Sequence, residues 1–227
     1  MKNLVIFGSA EIAELAYYYF SNDSDYEVVA FTVDDEFVDF EKLFGLPLVP
    51  FSQVNERFPS TDNHMHVALS YSKLNQLRQE KYEQAKSAGY KLASYVCSKS
   101  VTWPDLTIGD NCLILENQTI QPTVKIGNNV MIWSGNHLGH ASVIDDHAYI
   151  ASHVVISGNC KIGKRCFLGV NSTIKDFIEI GDDSFIAMGS SIIKNISAGS
   201  VVVGAQSNIY EKNDKRARML IRKTFGA

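Results

Sequence analysis

The hydrophobic positions between residues 108 and 192 repeat strictly at every sixth residue. An α-helix has a period near 3.6 and a half-exposed strand a period of two, so this spacing fits neither element. It is typical of a parallel β-helix, in which each six-residue segment forms one flat side. Fifteen consecutive positions obey the rule, thirteen of them Ile and two Leu: 108, 114, 120, 126, 132, 138, 144, 150, 156, 162, 168, 174, 180, 186 and 192.

Three such segments close one triangular coil of about eighteen residues, so the pattern predicts about five coils. Each aliphatic side chain points into a narrow prism and stacks on the residue eighteen positions away. The positions four residues further along are mostly small or apolar, and they include Cys112, Cys160 and Cys166, which we expect to fill the core. A prism of this width leaves no internal cavity. Functional residues are therefore expected on its outer edges, where prisms packed in a threefold oligomer leave ligand clefts.

The segment before the repeat has the pattern of a small α/β domain. The apolar run Leu4–Phe7 predicts a strand, Gly8–Glu11 a tight turn, and the following residues a helix, as in the first half of a Rossmann-like unit. Such a turn directs backbone N–H groups at a ligand phosphate, although little remains here of a glycine-rich pattern. A second strand, Tyr26–Val33, ends in Asp34 and Asp35, where such units bind a ribose or base. Both residues also suit a solvated turn.

The chain divides into three segments. We expect an N-terminal Rossmann-like α/β domain over residues 1–95, a parallel β-helix over 96–206, and a basic C-terminal helix or tail over 207–227. The tail carries six Lys and Arg residues against Glu211 and Asp214. Within the first domain the remaining elements are predicted as a helical turn over 54–58, strands over 66–69 and 92–96, and a helix over 72–88.

Composition argues against several classes of function. The 227 residues carry a net charge of −4, which disfavours nucleic acid or an anionic membrane as the main partner. No apolar run approaches the length of a membrane span, and the N-terminal apolar stretch is too short for a signal peptide. The four cysteines include no CxxC pair, so neither a zinc site nor a disulfide framework is predicted. A reducing, cytoplasmic setting fits best.

The histidines are the main candidates for chemistry. Four of the six lie between His137 and His153. His140 occupies an outward position of the repeat, and Gly158 follows eighteen residues later, one coil away. A histidine beside a bare backbone amide suits acyl transfer, because the imidazole takes a proton from the attacking amine or hydroxyl while the amide stabilises the oxyanion. The alternative is that these histidines are solvated or lie in trimer contacts.

With these features the whole chain resembles the bacterial nucleotide-sugar acyltransferases. That family is related to the sialic acid O-acetyltransferases and to the N-acetyltransferases of nucleotide-linked 4-amino-4,6-dideoxy sugars. The resemblance covers roughly residues 2–206. It implies a left-handed β-helix, a homotrimer with sites between subunits, a nucleotide-linked sugar held by the N-terminal domain, and acetyl-CoA as co-substrate along the groove between subunits, without a metal.

The resemblance also implies roles for individual residues. His140 matches the general base, and Gly158 matches the backbone amide near the thioester carbonyl. The turn formed by Ala10, Glu11 and Ile12 matches the phosphate-binding loop. The other residues that match binding positions are Asp34 and Asp35 for the nucleotide base, His153 for the sugar, and Tyr149, Val170, Met188 and Ala205 for acetyl-CoA.

Two positions depart from the family's pattern. Ala141 follows His140 where the family often has an acidic residue, so the group that orients the imidazole is open. Tyr149 stands where the family has a histidine that contacts CoA. Two interpretations of the basic tail are open. It either lies near the CoA phosphates or forms a solvated helix.

The leading hypothesis is an acetyl-CoA-dependent N-acetyltransferase acting on a nucleotide-linked amino-dideoxy sugar, by direct transfer, in surface polysaccharide or glycan biosynthesis. One alternative is O-acetylation of a sugar such as sialic acid. Another is a non-catalytic scaffold that binds a nucleotide sugar. A zinc carbonic anhydrase of the same fold would need three converging imidazoles, and no two histidines are spaced 36 residues apart. The sugar, the nucleotide and the acyl length are left open.

Overall fold

The computed structural model describes residues 1–211 and 213–226, so Lys212 and Ala227 of the predicted basic tail lie outside the described residues. The N-terminal part is an α/β unit. Its elements, in chain order, are β1 Lys2–Phe7, α1 Glu11–Asn22, β2 Tyr26–Val33, β3 Lys42–Leu43, β4 Leu46–Pro50, α2 Phe51–Arg57, β5 Asn63–Val67, α3 Gln76–Ser87 and β6 Lys91–Leu92, with a 3₁₀ turn at Asp35–Phe37. The strands lie in the order β3-β4-β2-β1-β5-β6, parallel except for β3.

The central strand β1 is apolar without interruption because both faces of the sheet are covered. Leu4 and Ile6 pack with α1 and with residues of the β-helix. Val5 and Phe7 pack on the other face with α2 and α3. Continuous apolar strands of this kind are expected in parallel sheets buried on both sides. The β-helix therefore serves as one of the two layers that complete the N-terminal core.

The six-residue pattern forms the predicted β-helix of parallel strands. Partners lie eighteen residues apart except in the last coil, as in the pairing of Ile132 with Ile150 and of Ile150 with Leu168, and these side chains are fully buried. The strands are β7 Tyr95–Val96, β8 Thr107–Ile108, β9 Leu113–Ile114, β10 Thr119–Ile120, β11 Lys125–Ile126, β12 Met131–Ile132, β13 His137–Leu138, β14 Val143–Ile144, β15 Tyr149–Ile150, β16 Val155–Ile156, β17 Lys161–Ile162, β18 Phe167–Leu168, β19 Thr173–Ile174, β20 Glu179–Ile180, β21 Phe185–Ile186, β22 Ser191–Ile192 and β23 Val201–Val202.

Within the described residues these strands form three flat sheets, of five (β10, β13, β16, β19, β22), five (β8, β11, β14, β17, β20) and seven strands (β7, β9, β12, β15, β18, β21, β23). The turns between the sheets make three edges. We call them the His140 edge (121–124, 139–142, 157–160, 175–178), the docking edge (109–112, 127–130, 145–148, 163–166, 181–184) and the Met188 edge (115–118, 133–136, 151–154, 169–172, 187–190). The arrangement is consistent with a left-handed β-helix.

Four predicted elements have different bounds. The helical turn predicted over 54–58 is the helix α2, Phe51–Arg57. The third strand is β5 rather than 66–69, and the helix predicted over 72–88 begins only at Gln76 because Lys73, Leu74 and Asn75 have φ angles of 52°, 51° and 66°. The strand predicted over 92–96 is divided, with β6 in the N-terminal sheet and β7 paired to β9. The domain boundary at residue 95 stays a prediction. The basic tail forms a helix, α4, over Lys215–Phe225, as predicted.

A buried arginine joins α3 to the docking edge. Arg78 is only 2% exposed, and its guanidinium donates to the backbone oxygens of Asn129, His147 (2.9 Å) and Ala148 (3.3 Å). It also donates to the side-chain oxygen of Asn75 at 3.0 Å. The carbonyls of two successive coils are therefore satisfied by one side chain from the N-terminal unit.

Acidification is expected to weaken the N-terminal core through His66. Burial lowers the pKa of His66 to about 4, and its Nδ1 lies 2.9 Å from the oxygen of Ala93. The unfolded chain therefore binds a proton below about pH 6.5 that the folded chain does not. From pH 7.5 to pH 5 this group should remove about 2 kcal/mol of stability. Urea unfolding at both pH values should show a loss of at least this size, and His66→Gln should reduce it by about 2 kcal/mol. An unchanged pH dependence in the variant would contradict the assignment.

Candidate functional site

His140 lies on an outer edge of the prism, in the turn between β13 and β14. The residue is exposed, and its position is fixed from both neighbouring coils. The backbone N–H of His140 donates to Gln121 Oε1 at 2.8 Å, and the ring Nδ1 lies 3.2 Å from the same oxygen. On the other side, Asn159 Nδ2 lies 3.4 Å from Nε2. The imidazole is thus an oriented group with one nitrogen facing each neighbour.

The ring of His140 lies directly against Gly158. A Cβ atom built on Gly158 would stand 2.5 Å from Cε1 and 2.8 Å from Nε2 of the imidazole. Any side chain at position 158 would displace the ring, so the pairing predicted from the eighteen-residue spacing is present in the structure. It explains why glycine is needed here, whatever else the residue does.

The prediction that the Gly158 amide is bare is wrong. Its N–H donates to Asp176 Oδ1 at 3.0 Å. The reason is a regular feature of the turns, in which a side-chain oxygen one coil further on accepts from a backbone N–H, as Asp182 does for Lys164 at 2.8 Å. A ligand oxygen reaches the Gly158 amide only if the Asp176 carboxylate moves. The role of Gly158 toward a thioester carbonyl stays a prediction.

Four other residues predicted for ligands on the prism lie on the Met188 edge or in the last coil. His153 is exposed, and its ring covers Gly135, where an added Cβ would stand 2.6 Å from Cε1. Val170 and Met188 are exposed to 37% and 70%, and Ala205 is also exposed. These side chains form a partly apolar strip on an edge different from the one that carries His140.

A cavity of about 550 Å³ lies between the N-terminal unit and the seven-stranded face. The start of α1, Ala10–Ile12, forms one wall, and Tyr71, Trp133 and Tyr149 form an aromatic wall opposite. Backbone N–H groups at a helix start favour anionic ligands. The turn before α1 requires glycine, because Gly8 has a φ of +137° and a Cβ there would stand 2.7 Å from the oxygen of Ala68. The structure thus brings the predicted phosphate-binding loop to a ligand-sized cavity.

Tyr149 lies in this cavity rather than on the Met188 edge. It is 3% exposed, its ring stacks on Phe167 at 5.2 Å, and its hydroxyl accepts a hydrogen bond from the indole of Trp133. This placement favours a contact with the ligand of the N-terminal unit over the predicted contact with acetyl-CoA. The aromatic wall itself was missed from the sequence, because Tyr71 and Trp133 belong to different patterns.

Asp34 and Asp35 already have partners within the N-terminal unit. Asp34 forms a salt bridge of 2.8 Å with Lys81. Asp35 accepts from the backbone N–H and the hydroxyl of Ser52, at 3.1 and 2.6 Å, and these hydrogen bonds lower the pKa of Asp35. Among the described residues that line the cavity, neither aspartate is present. To contact a nucleotide base, each aspartate must either accept a further hydrogen bond beside its present partner or release that partner.

The histidines of the cluster have different surroundings. His147, on the docking edge, is 7% exposed, and its Nδ1 lies 2.9 Å from Asn129 Nδ2. Burial lowers the pKa of His147 to about 4, and Tyr82 packs edge-on against the ring. It is a structural residue of the contact between α3 and the prism. His140 and His153 are the exposed members on the other two edges.

Within one chain the two halves of the predicted site are separate. The cavity opens on the seven-stranded face, whereas His140 lies at the edge between the two five-stranded faces, on the opposite side of the triangular section. The sequence also gave no prominence to Gln121, Asn159 or Asp176, which contact the His140–Gly158 pair. Their offsets of eighteen or nineteen residues from His140 and Gly158 are the signal that identifies them.

Two protein families match the β-helix. The family described as bacterial transferase hexapeptide (six repeats) matches residues 123–158, and the hexapeptide repeat of succinyl-transferase matches residues 160–194. The β-helix is similar to these hexapeptide-repeat families over 71 of the 227 residues. It includes the His140–Gly158 pair, which lies in the first of the two matched segments.

Curated relatives match just under half of this chain. The acyl-[acyl-carrier-protein]–UDP-N-acetylglucosamine O-acyltransferase of Stutzerimonas stutzeri is 33% identical over 106 residues, 44% of this chain and 41% of the relative. The corresponding Pseudomonas putida enzyme is 29% identical over 115 residues, 48% of this chain and 45% of the relative. The chain thus spans less than half the length of these relatives.

Solved structures share the fold over nearly the whole chain, including the N-terminal unit. A perosamine N-acetyltransferase variant from Caulobacter crescentus, in complex with CoA and GDP-perosamine, is 19% identical with a TM-score of 0.79, covering 93% of this chain and 98% of that one. The acetyltransferase domain of PglB from Neisseria gonorrhoeae, in complex with acetyl coenzyme A, is 16% identical with a TM-score of 0.76, covering 91% and 99%. At these identities the likeness shows the fold.

No helix in residues 1–211 and 213–226 is long and apolar enough to span a membrane. In the same part of the chain, no group of three or more His, Cys, Asp or Glu residues is arranged to hold a metal ion.

Proposed function

We propose that the protein is an acetyl-CoA-dependent N-acetyltransferase of a nucleotide-linked amino sugar, acting in surface polysaccharide or glycan biosynthesis, with His140 as general base. The observation that carries the proposal is the imidazole of His140, held over Gly158 on an exposed edge of the β-helix, within the segment similar to the bacterial transferase hexapeptide family. An oriented, solvent-accessible imidazole is the usual group for removing a proton from an attacking nucleophile near neutral pH.

The reaction follows from this geometry. The sugar amine attacks the thioester carbonyl, and Nε2 of His140 takes the proton that the nitrogen loses. Formation of the C–N bond gives a tetrahedral intermediate, whose collapse breaks the C–S bond. The leaving CoA thiolate takes the proton from the imidazolium of His140, which regenerates the base. The negative oxygen of the intermediate needs a hydrogen-bond donor, and the Gly158 amide becomes one when Asp176 releases it. His140 and Gly158 are the proposed catalytic residues.

Direct transfer is favoured over an acyl-enzyme. All four cysteines are buried and free. Burial raises the pKa of the Cys112 thiol to about 12 and that of the Cys166 thiol to about 11, and it also raises the pKa of Cys160. The thiolate is the nucleophilic form, so protonated thiols inside the prism are poor nucleophiles.

The two proposed ligands are assigned to two different surfaces of the chain. We assign the nucleotide-linked sugar to the cavity at Ala10–Ile12 and acetyl-CoA to the strip with Val170, Met188 and Ala205. The CoA complexes of the Caulobacter crescentus and Neisseria gonorrhoeae proteins, which share the fold, support a CoA-dependent reaction. Because the cavity and His140 face opposite sides of one prism, a homotrimer with sites between subunits is the assembly that would bring them together.

The proposal is tested by following thiol release from acetyl-CoA with nucleotide-linked 3- and 4-amino sugars as acceptors. We expect release with at least one nucleotide-linked amine and little with the same amino sugar lacking its nucleotide, because the N-terminal cavity then contributes no binding. A matching nucleotide sugar with a hydroxyl in place of the amine tests O-acylation, the chemistry named for the curated relatives. If the protein binds nucleotide sugars but releases no thiol from acetyl-CoA with any of the acceptors, it is a non-catalytic scaffold instead.

A further inference from the structure

The position after His140 lacks the group that would be expected to orient the imidazole. Ala141 has only a methyl side chain and a φ of +56°. Its backbone N–H donates to Thr123 Oγ1 at 3.1 Å, which fixes the turn but not the ring. Among the described residues, the side chain in hydrogen-bonding contact with Nδ1 of His140 is that of Gln121, from the neighbouring coil.

The backbone of His140 identifies the atom of Gln121 that faces the ring. An amide side chain is nearly symmetric, so its oxygen and nitrogen are usually assigned from their partners. Here one partner is the backbone N–H of His140, at 2.8 Å, which can only donate. The atom that receives it must therefore be the oxygen, Oε1.

That oxygen in turn determines the tautomer of the imidazole. Oε1 lies 3.2 Å from Nδ1, and two acceptors cannot share a hydrogen bond, so Nδ1 must carry the proton. The lone pair is then on Nε2. With the lone pair there, the Asn159 amide faces the ring with its nitrogen, and Nδ2 lies 3.4 Å from Nε2.

We propose that Gln121 is the positioning residue of the site, holding His140 as the Nδ1–H tautomer so that Nε2 is the base. This inference rests on the proposed function and deepens it. A neutral carboxamide fixes the tautomer without placing a negative charge beside the ring. The side chain of Asn159 then marks the place of the acceptor amine, whose N–H would replace the amide N–H on Nε2.

The tautomer is measured directly by NMR of protein with ¹⁵N-labelled histidine, because protonated and unprotonated ring nitrogens have well-separated shifts. His140→Ala identifies the signals. We expect Nδ1 protonated and Nε2 unprotonated in the wild type, and a shift toward the Nε2–H form in Gln121→Leu. The kcat of Gln121→Leu should fall roughly 10- to 100-fold, with the KM for acetyl-CoA little changed, since the group acts through the base.

Two further variants separate positioning from folding. Gln121→Glu keeps an acceptor oxygen and should restore both the Nδ1–H tautomer and most of kcat. Thr123→Val removes the neighbouring acceptor in the same turn without touching the ring, and it should leave the tautomer and kcat unchanged. If Gln121→Leu keeps the Nδ1–H form, the proposal is wrong. The NMR result does not depend on any acceptor, so a failure of the proposed function, seen as no transfer by the wild type, is distinguished from a failure of this inference.

Discussion

Replacing His140 by Ala is expected to lower kcat for acetyl transfer by about 10²- to 10⁴-fold, the usual range for loss of a general base. The variant removes Nε2, the group that takes the amine proton, and leaves the acyl acceptor to deprotonate into solvent. Binding of acetyl-CoA and of the nucleotide sugar should change little, because the exposed ring contributes no core packing. Steady-state kinetics with the best acceptor from the thiol-release assay provide the measurement.

The matched control is His64→Gln in the N-terminal sheet. That histidine lies 3.0 Å from the hydroxyl of Tyr26 and is remote from the His140 edge. The His64→Gln variant should retain wild-type kcat. A loss of kcat in His140→Ala is then due to the imidazole at position 140 and not to the removal of any histidine. Full activity in His140→Ala, with thermal stability unchanged, would assign the base to another residue; His153 on the Met188 edge would be the next to test.

The β-helix was predictable from sequence because its geometry is strictly periodic. Each rung needs one aliphatic side chain facing inward, so the Ile column alone determines which residues face out and which pairs lie eighteen apart. His140 and Gly158 were found by that arithmetic. The same spacing does not predict which residues an outward-facing side chain contacts. His147 and His153 occupy equivalent positions in the repeat, yet α3 packs over His147 whereas His153 is exposed.

The contacts that sequence reasoning missed come from elements distant along the chain. Asp34 is neutralised by Lys81 of α3, and Asp35 is held by Ser52 at the start of α2, so their availability for a ligand depended on tertiary packing. The start of α3 was misplaced because three consecutive residues before it adopt left-handed conformations, which a pattern of polar and apolar residues does not reveal. The hydrogen bond from the Gly158 amide to Asp176 was missed as well, because the acceptor lies one coil away and not next to Gly158 in the sequence.

Replacing Arg78 by Met is expected to reduce the free energy of unfolding by about 2–4 kcal/mol, the scale for leaving a few buried carbonyl oxygens without the charged donor that binds them. Methionine fills much of the same space but donates no hydrogen bond. The backbone oxygens of Asn129, His147 and Ala148 would then remain buried without this donor. Burial lowers the pKa of Arg78 to about 10, so the guanidinium is still charged at neutral pH and binds these carbonyls with full strength.

Lys86→Met, on the same helix, is the matched control for Arg78→Met. Lys86 also joins α3 to the docking edge, through a 2.8 Å salt bridge to Asp110, but its side chain is 47% exposed. Water screens such a pair, so its loss should cost less than about 1 kcal/mol. Urea unfolding at one fixed protein concentration compares the two variants. It is followed by tryptophan fluorescence, with Trp103 replaced by Phe in both so that the signal comes from Trp133 in the cavity at Ala10–Ile12. Equal losses in both would mean that α3 is held to the prism by apolar packing, and that the buried guanidinium contributes no more than a surface charge.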